Sequence, residues 1–391
     1  MIDIRKKTEC TGCYACYSVC PVNAITMIED HEGFKYPKVD KDKCINCGLC
    51  DRTCPLLNKK NNNEEKDLKP TVIAAWSKTN HIRLDSTSGG TFSELAKAIY
   101  EENGYVAGAI YNKEWGVEHI ISQDIKDLEK IRSSKYLQSD IKDTFKNVKE
   151  KLEEGKKVLI CGSPCQISGL YHYLKKDYEN LYTCDFICRG MNSPKIFKKY
   201  IGHLENKYKS KVEKVKFKNK IHGWHNFSTK VDFENGKTYI GGRYVDSYMV
   251  GYLKYNAFIR PCCYECKFKE MPRVADITLA DFWGIEEIDK SLDNDQGTSM
   301  ILLNSKKGKE LFEKVKPHMQ YKEIKSNKVF NGNICASKSV EKSPVRDKVF
   351  ENIDKLSYQE LSNRYFPEPN KREKIKNIRL SKKDYKKSEK I

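Results

Sequence analysis

Apolar and polar positions change period several times along the chain, and each change marks an element. Val72 to Trp76 is a short apolar run that predicts a strand, and a Ser/Thr/Gly loop then leads to a helix-period stretch over Phe92 to Glu102. Strands are expected at Val106 to Tyr111 and Val117 to Ile121, and an amphipathic helix over Ile141 to Glu153. Val158 to Cys161 reads as a short buried strand that runs through a loop into a helix over Gln166 to Lys175, and Leu181 to Ile187 as another strand. Ser193-Pro194 supplies a cap and first position for the next helix. Asn235-Gly236, between apolar alternations, predicts a hairpin. β-branched runs alternating with amphipathic stretches are the pattern of an α/β domain. The pattern divides the chain into a cysteine-rich block at 1–58, a polar linker at 59–70 closed by Pro70, the α/β region at 71–365 and a basic tail at 366–391.

The 391 residues are enough for two or three domains, and 39% hydrophobic with 11% aromatic content allows a sizeable core, which excludes wholesale disorder. Sixteen cysteines narrow the chemistry further. The opening MIDIRKKTEC has no apolar signal core, and no run approaches the length of a membrane span. The expected location is therefore cytoplasmic, where thiols stay reduced and cysteines in number are metal ligands rather than disulfides.

Cys10, Cys13, Cys16 and Cys20 before Pro21 form C-x2-C-x2-C-x3-C-P, and Cys44, Cys47, Cys50 and Cys54 before Pro55 repeat it. In two-cluster ferredoxins three thiolates of such a run hold one cubane while the fourth reaches the other. That rule puts Cys10, Cys13, Cys16 and Cys54 on one 4Fe-4S cluster, and Cys44, Cys47, Cys50 and Cys20 on the second. Paired zinc knuckles would need only four ligands per site, and the repeated triplet with its C-x3-C-P is a pattern zinc does not require. A ferredoxin domain moves single electrons, so the residues after it are expected to use them.

Eight further cysteines fall mostly in CGSPCQISGL (161–170), CDFICRG (184–190) and RPCCYECKF (260–268). Spacing alone leaves another cluster and a zinc site equally open. These segments, with STSGG (86–90), SSKYLQSD (133–140) and ADITLADFWGIE (275–286), resemble the family of coenzyme F420 hydrogenase/dehydrogenase beta subunits, whose members are iron–sulfur flavoproteins. The resemblance implies an α+β chain: a small bacterial-type two-cluster ferredoxin domain followed by a larger mixed α/β domain that binds flavin and a cluster. By motif it carries a third 4Fe-4S cluster onto Cys165, Cys188, Cys263 and Cys266. Cys161, Cys184, Cys262 and Cys335 remain unassigned and read as small buried thiols.

The resemblance also implies FAD. Ser88, Gly89 and Gly90 precede a helix where free backbone N–H groups suit a pyrophosphate, and Gly162, Pro164 and Gln166 lie in a second such loop. Lys135, Tyr136, Gln138 and Ser139 offer a cation, an aromatic face and polar partners. Two departures from the family pattern stand out: Ala280 where a glycine precedes Asp-Phe-Trp-Gly, and Lys218 where a guanidinium is common, which loses bidentate reach. The implied function is an oxidoreductase that passes electrons between clusters and FAD to reduce or oxidise a small molecule, coenzyme F420 being one candidate. A non-catalytic relay component of a larger redox complex and a reductase of surface-polysaccharide biosynthesis are the alternatives. No catalytic residue is singled out; His172, His222, His225 and Asp281 read as structural.

The net charge of +18 is absent from residues 1–58, where eight Lys+Arg meet eight Asp+Glu, while ten Lys+Arg and four Asp+Glu lie in 366–391. The tail is lysine-rich and lacks a recognition motif, so no nucleic acid is expected. It reads first as a solvated, partly disordered segment, and next as a peripheral contact for an anionic membrane face or an acidic partner; a redox partner protein or ferredoxin is expected besides.

Overall fold

The computed structural model describes residues 2–4, 6–58, 67 and 69–369. Residues 59–66 and 68 of the expected linker and 370–391 of the basic tail lie outside them. In the amino-terminal domain each cysteine run folds as a loop leading into a short helix, Ala15–Val19 and Leu49–Thr53. Both helices are entered through a left-handed residue, Tyr14 and Gly48, and both end at the fourth cysteine of the run, Cys20 and Cys54. Pro21 and Pro55 follow, where a helix cannot continue. The two helices pack on each other, and β1 (Ile25–Glu29) and β2 (Lys35–Val39) form an antiparallel hairpin beside them.

The larger domain is built on a nine-stranded mixed sheet. Its strands are β3 (Thr71–Ser77), β4 (Tyr105–Tyr111), β5 (Val117–Ser122), β6 (Ser139–Asp140), β7 (Val158–Cys161) and β8 (Leu181–Phe186), then β12 (Ile277–Asp281), β13 (Ser299–Leu303) and β14 (Met319–Glu323). Spatial order is β14-β3-β13-β12-β8-β7-β4-β5-β6. The centre, β12-β8-β7-β4, is parallel, and β13, β3 and β14 extend it antiparallel on one side. Central strands buried on both faces read as continuous apolar runs. Leu159 and Val106 meet Leu95 and Ile99 of the helix Thr91–Glu101 on one face. On the other, Val158 and Ile160 meet Ile167 and Leu170 of the helix Pro164–Leu174. That helix starts two residues before the expected Gln166, because Ser163 caps it and Gln166 closes the capping box.

A second sheet, ordered β11-β10-β9, comprises β9 (Val212–Asn219), β10 (Ser228–Phe233) and β11 (Thr238–Gly242), and the Asn235-Gly236 turn joins the last two. It packs with the helix Pro194–Tyr208 over an aromatic core that includes Phe197, Tyr200, Phe217, Tyr248 and Phe258. Phe366, the first residue of the basic segment, is buried in this core against Phe258 and Tyr358.

The amino-terminal domain is set into the larger one. Phe34, at the turn of its hairpin, is fully buried beside Phe350, and Ser193 donates to the carbonyl of Glu32. Arg346 grips the Glu32 carboxylate with two hydrogen bonds, 3.1 and 2.5 Å, both side chains being nearly excluded from water. Truncating one member of such a pair leaves the other buried and uncompensated, at a cost of about 3–5 kcal/mol. Glu32→Ala is therefore expected to lower the anaerobic urea unfolding free energy by about that amount, and Glu32→Gln by less. An unchanged midpoint in Glu32→Ala would show that the seam does not depend on this pair.

Candidate functional site

Cys10, Cys13 and Cys16 lie on the face of the amino-terminal domain turned toward the larger one, and Cys54 comes up against all three: its charge acts on each of their thiols. Burial first, and then the neighbouring thiols, push Cys13 up to about 12 and raise Cys16 well above the ordinary range. A set of buried thiolates that destabilise one another suits a cationic iron cluster, whose binding releases the thiol protons. Gly169 of the helix Pro164–Leu174 makes this docking feasible, since a Cβ there would stand 2.9 Å from the Cys13 Sγ. The other four cysteines sit nearer water. Cys47 is exposed, and Cys20, Cys44 and Cys50 are half-buried.

Behind Cys54 lies a cavity of about 380 Å³ lined by Cys165, Cys188, Cys263 and Cys266. The four cysteines drawn together by motif from three separate segments thus meet at one place. Cys262 and Cys335, which the motifs do not assign, line the same cavity. Burial pushes the Cys188 thiol up to about 12, against the Lys269 ammonium. Burial also raises Cys165, with Cys188, Cys266 and Cys262 adding to the effect. Cys262 runs the other way: a hydrogen bond from Cys263, and then the Arg260 charge, outweigh burial and bring it to about 7. Cys161 and Cys184 are elsewhere, paired across β7 and β8 and hydrogen-bonded to each other.

A second cavity of about 560 Å³ opens at the carboxyl ends of the parallel strands β7, β8 and β12, where open α/β sheets bind their ligands. The two cavities share Cys188 to Met191 and Cys335. Of the residues expected to hold a flavin, Ser88, Gly90, Lys135, Tyr136, Ser139, Gly162 and Gln166 line this larger cavity. Gly89 does not: its Cβ would clash with Ala75 O at 2.2 Å, so it serves the close approach of the loop to β3. Pro164 lines the cysteine cavity instead. Gln138 is not among the lining residues and points to the domain seam, where its Oε1 accepts from Lys35 N (3.1 Å) and Arg260 Nη1 (3.0 Å).

Several of the lining groups are already engaged. Gln166 is bonded to Ser163 and Ser139, and the Lys135 ammonium lies 2.7–3.2 Å from four backbone carbonyls between Lys130 and Ser133. Other groups are free for a ligand: the Ser86 and Thr91 hydroxyls are buried without partners at the entrance to the helix Thr91–Glu101. Lys218, in sequence only a departure from the family pattern, is buried on the cavity wall, paired with Asp281 and 5.1 Å from the Trp283 ring. Asp281 also accepts from Trp224 Nε1 at 2.8 Å, so it orients the wall. With Arg189 and Arg243 also lining it, the cavity favours an anionic ligand.

Known proteins resemble the chain in both of its parts. Residues 155–328 match the family described as the carboxyl terminus of the coenzyme F420 hydrogenase/dehydrogenase beta subunit, and residues 9–57 match the 4Fe-4S dicluster domain. The chain thus carries a domain of that hydrogenase/dehydrogenase family behind a 4Fe-4S dicluster domain, the make-up of an iron–sulfur redox protein. A subunit of the F(420)H(2) dehydrogenase of Methanosarcina mazei is 27% identical over 173 residues, 42% of this chain and 48% of its own length. The coenzyme F420-dependent sulfite reductase of Methanocaldococcus jannaschii is 28% identical over 172 residues, 43% of this chain and 26% of its own. The chain thus spans about half the length, or less, of these two curated relatives. A chain in the F420-reducing NiFe hydrogenase complex from Methanosarcina barkeri aligns over 76% of this chain and 93% of its own, with 19% identity and a TM-score of 0.47. Among the described residues no helix is long and apolar enough to cross a membrane.

The histidines singled out in the sequence take structural places. Both ring nitrogens of His172 lie against carbonyls, Ser168 O at 2.8 Å and Asn58 O at 2.9 Å, which ties the end of the amino-terminal domain to the larger one. His222 is exposed. His225 Nε2 is 2.7 Å from Asp293 Oδ2. Burial opposes its charge, but the Asp293 hydrogen bond and the nearby carboxylates outweigh that and raise its pKa above 6.5. A raised folded-state pKa contributes stability that is fully present below 6.5 and is lost as pH rises through the raised value. His225→Gln should therefore lower the melting temperature at about pH 5.5 and progressively less toward about pH 8.5. An equal loss at both pH values would contradict the ion pair.

Proposed function

We propose that the chain is an iron–sulfur flavoprotein oxidoreductase in which electrons travel along one row of sites: the amino-terminal clusters, a third cluster on Cys165, Cys188, Cys263 and Cys266, and FAD in the larger cavity. The meeting of the two cavities at Cys188 to Met191 and Cys335 carries this reading, because it puts the thiol-lined space and the ligand-sized space in direct contact. The residues present fit both groups. The thiols are buried and mutually repelling, and the larger cavity offers unpartnered hydroxyls at a helix start, cationic walls and aromatic faces.

What FAD supplies when bound is the exchange between single-electron and electron-pair transfer. The protein's share is positioning and charge. Gly90 and the amide groups at the start of Thr91–Glu101 would hold the pyrophosphate, with the Ser86 and Thr91 hydroxyls as further partners. Lys218, held by Asp281 beside Trp283, presents an oriented ammonium whose charge Asp281 offsets, while Arg189 and Arg243 supply the positive charge of the wall. The substrate is a small anionic molecule, and coenzyme F420 is the first choice because two relatives carry it in their names. The exposed Cys47, beside Ile45 at 62% exposure, is where a redox partner protein would exchange electrons with the outer cluster.

Anaerobic purification tests the reading. The expected result is about twelve irons with matching labile sulfide, four for each of three cubanes, and noncovalent FAD released on denaturation. Cys266→Ser should remove about four irons and leave the amino-terminal set intact. Reduced coenzyme F420 should bleach the bound flavin. About eight irons and no flavin would leave a two-cluster ferredoxin and overturn the proposal.

A further inference from the structure

Arg260 has a position that the electron-transfer reading does not by itself explain. It directly precedes the turn Pro261–Glu265 that carries Cys262 and Cys263, and it is fully buried. All five of its N–H donors belong to a group that stays charged. Nε donates to Cys10 O (3.1 Å), Nη1 to Gln138 Oε1 (3.0 Å) and Nη2 to Lys35 O (3.1 Å). The guanidinium lies 4.1 Å from the Tyr36 ring. Each of these partners is neutral, and among the described residues no carboxylate forms an ion pair with it. A buried cation with no carboxylate partner is costly unless another acid supplies the counter-charge, and Cys262 hydrogen-bonds to this one. Besides Tyr36, the acidic groups nearest in effect are the thiols of Cys262, Cys10 and Cys263. Cys10 belongs to the amino-terminal set, and Cys262 and Cys263 to the cysteine cavity.

We propose that Arg260 is the shared counter-charge of two clusters, the inner amino-terminal one at Cys10, Cys13, Cys16 and Cys54 and the one in the cysteine cavity. This rests on the three-cluster reading above. A cubane with four thiolate ligands is a dianion when oxidised and gains one more negative charge on reduction, so a fixed cation between two of them favours the reduced form of both. One electron leaves the reduced cluster and arrives on its oxidised neighbour. No proton moves, because the guanidinium does not release one. The same residue bonds to Cys10 and Lys35 of one domain and Gln138 of the other, which fixes the separation across which the electron passes. Arg260 is thus a positioning residue that also sets potentials.

Gln138 permits a test that leaves the shape of the seam unchanged. Its Oε1 already accepts from Arg260 and Lys35, while its Nε2 is buried without a partner. Gln138→Glu keeps both hydrogen bonds and places a carboxylate against the guanidinium, cancelling its charge. The experiment is an EPR-monitored redox titration of the anaerobic full-length holoprotein with Gln138→Glu, Arg260→Gln and Arg260→Lys.

In the first two variants, the inner amino-terminal and cavity clusters should become harder to reduce. Their reduced-to-oxidised ratio at fixed potential should fall about tenfold, about 59 mV for a one-electron couple. The outer cluster should change less than about threefold, and Arg260→Lys should stay within about threefold of wild type for all clusters. If Arg260→Gln does not fold, Gln138→Glu decides alone. Three unchanged potentials at full iron content would overturn the proposal, and so would a shift of one cluster only. A wild-type protein with only two cluster signals would overturn the three-cluster reading itself, and the sharing with it.

Discussion

Burying the Cys10 to Cys16 loop against the larger domain is the constraint from which most of this architecture follows. A loop of thiolates can be taken out of water only if its charge is compensated and its backbone polar groups are met. The protein meets both needs from the opposite domain. Gly169 leaves room for Cys13, Arg260 bonds to the carbonyl of Cys10, and the Glu32–Arg346 pair and Phe34 hold the hairpin in register with the seam. Cys54 then lies at the mouth of the cysteine cavity rather than in solvent. The outer set includes the exposed Cys47, whereas the inner set includes the buried Cys13, so the need for compensation falls on the inner loop.

The larger domain turns that docking into a direction. Its parallel strands end together, and the loops after β7, β8 and β12 supply the cavity walls while the loop after β8 carries Cys188. A single segment, Cys188 to Met191, therefore borders the thiol-lined space on one side and the ligand-sized space on the other. Cationic walls and the buried Lys218–Asp281 pair give the second space a fixed polarity that water would otherwise screen.

The amino-acid sequence made part of this legible. Apolar runs located β3, β4, β7 and β8 to within a residue or two, because central strands buried on both faces are largely apolar, and β5 followed from its apolar ends Val117 and Ile120-Ile121. The hairpin β1–β2 escaped because its second strand, Lys35–Val39, holds two lysines and a proline, acceptable only for a short two-stranded edge pair. β12, parallel to β8, and β13 and β14, antiparallel to β3, were not foreseen, since pairing of strands far apart in sequence leaves no local signal. The family resemblance singled out Cys165, Cys188, Cys263 and Cys266, and these four line one cavity. It could not show that Cys262 and Cys335 line the same space, nor that Gln138 turns toward the seam, because side-chain direction at an irregular segment is decided by tertiary contacts. Arg260 carried a faint signal: an arginine one residue ahead of a cysteine pair, separated from it by Pro261, with no acidic residue in its segment until Glu265.

The central claim is that three clusters form one continuous row through the domain seam. The most direct measurement is the low-temperature EPR spectrum of the fully reduced wild-type protein, compared with the spectrum at partial reduction. Neighbouring reduced clusters interact magnetically, so the account predicts broadened, fast-relaxing signals that appear only when adjacent clusters are reduced together. Three simple signals that add without interaction at every stage of reduction would contradict it.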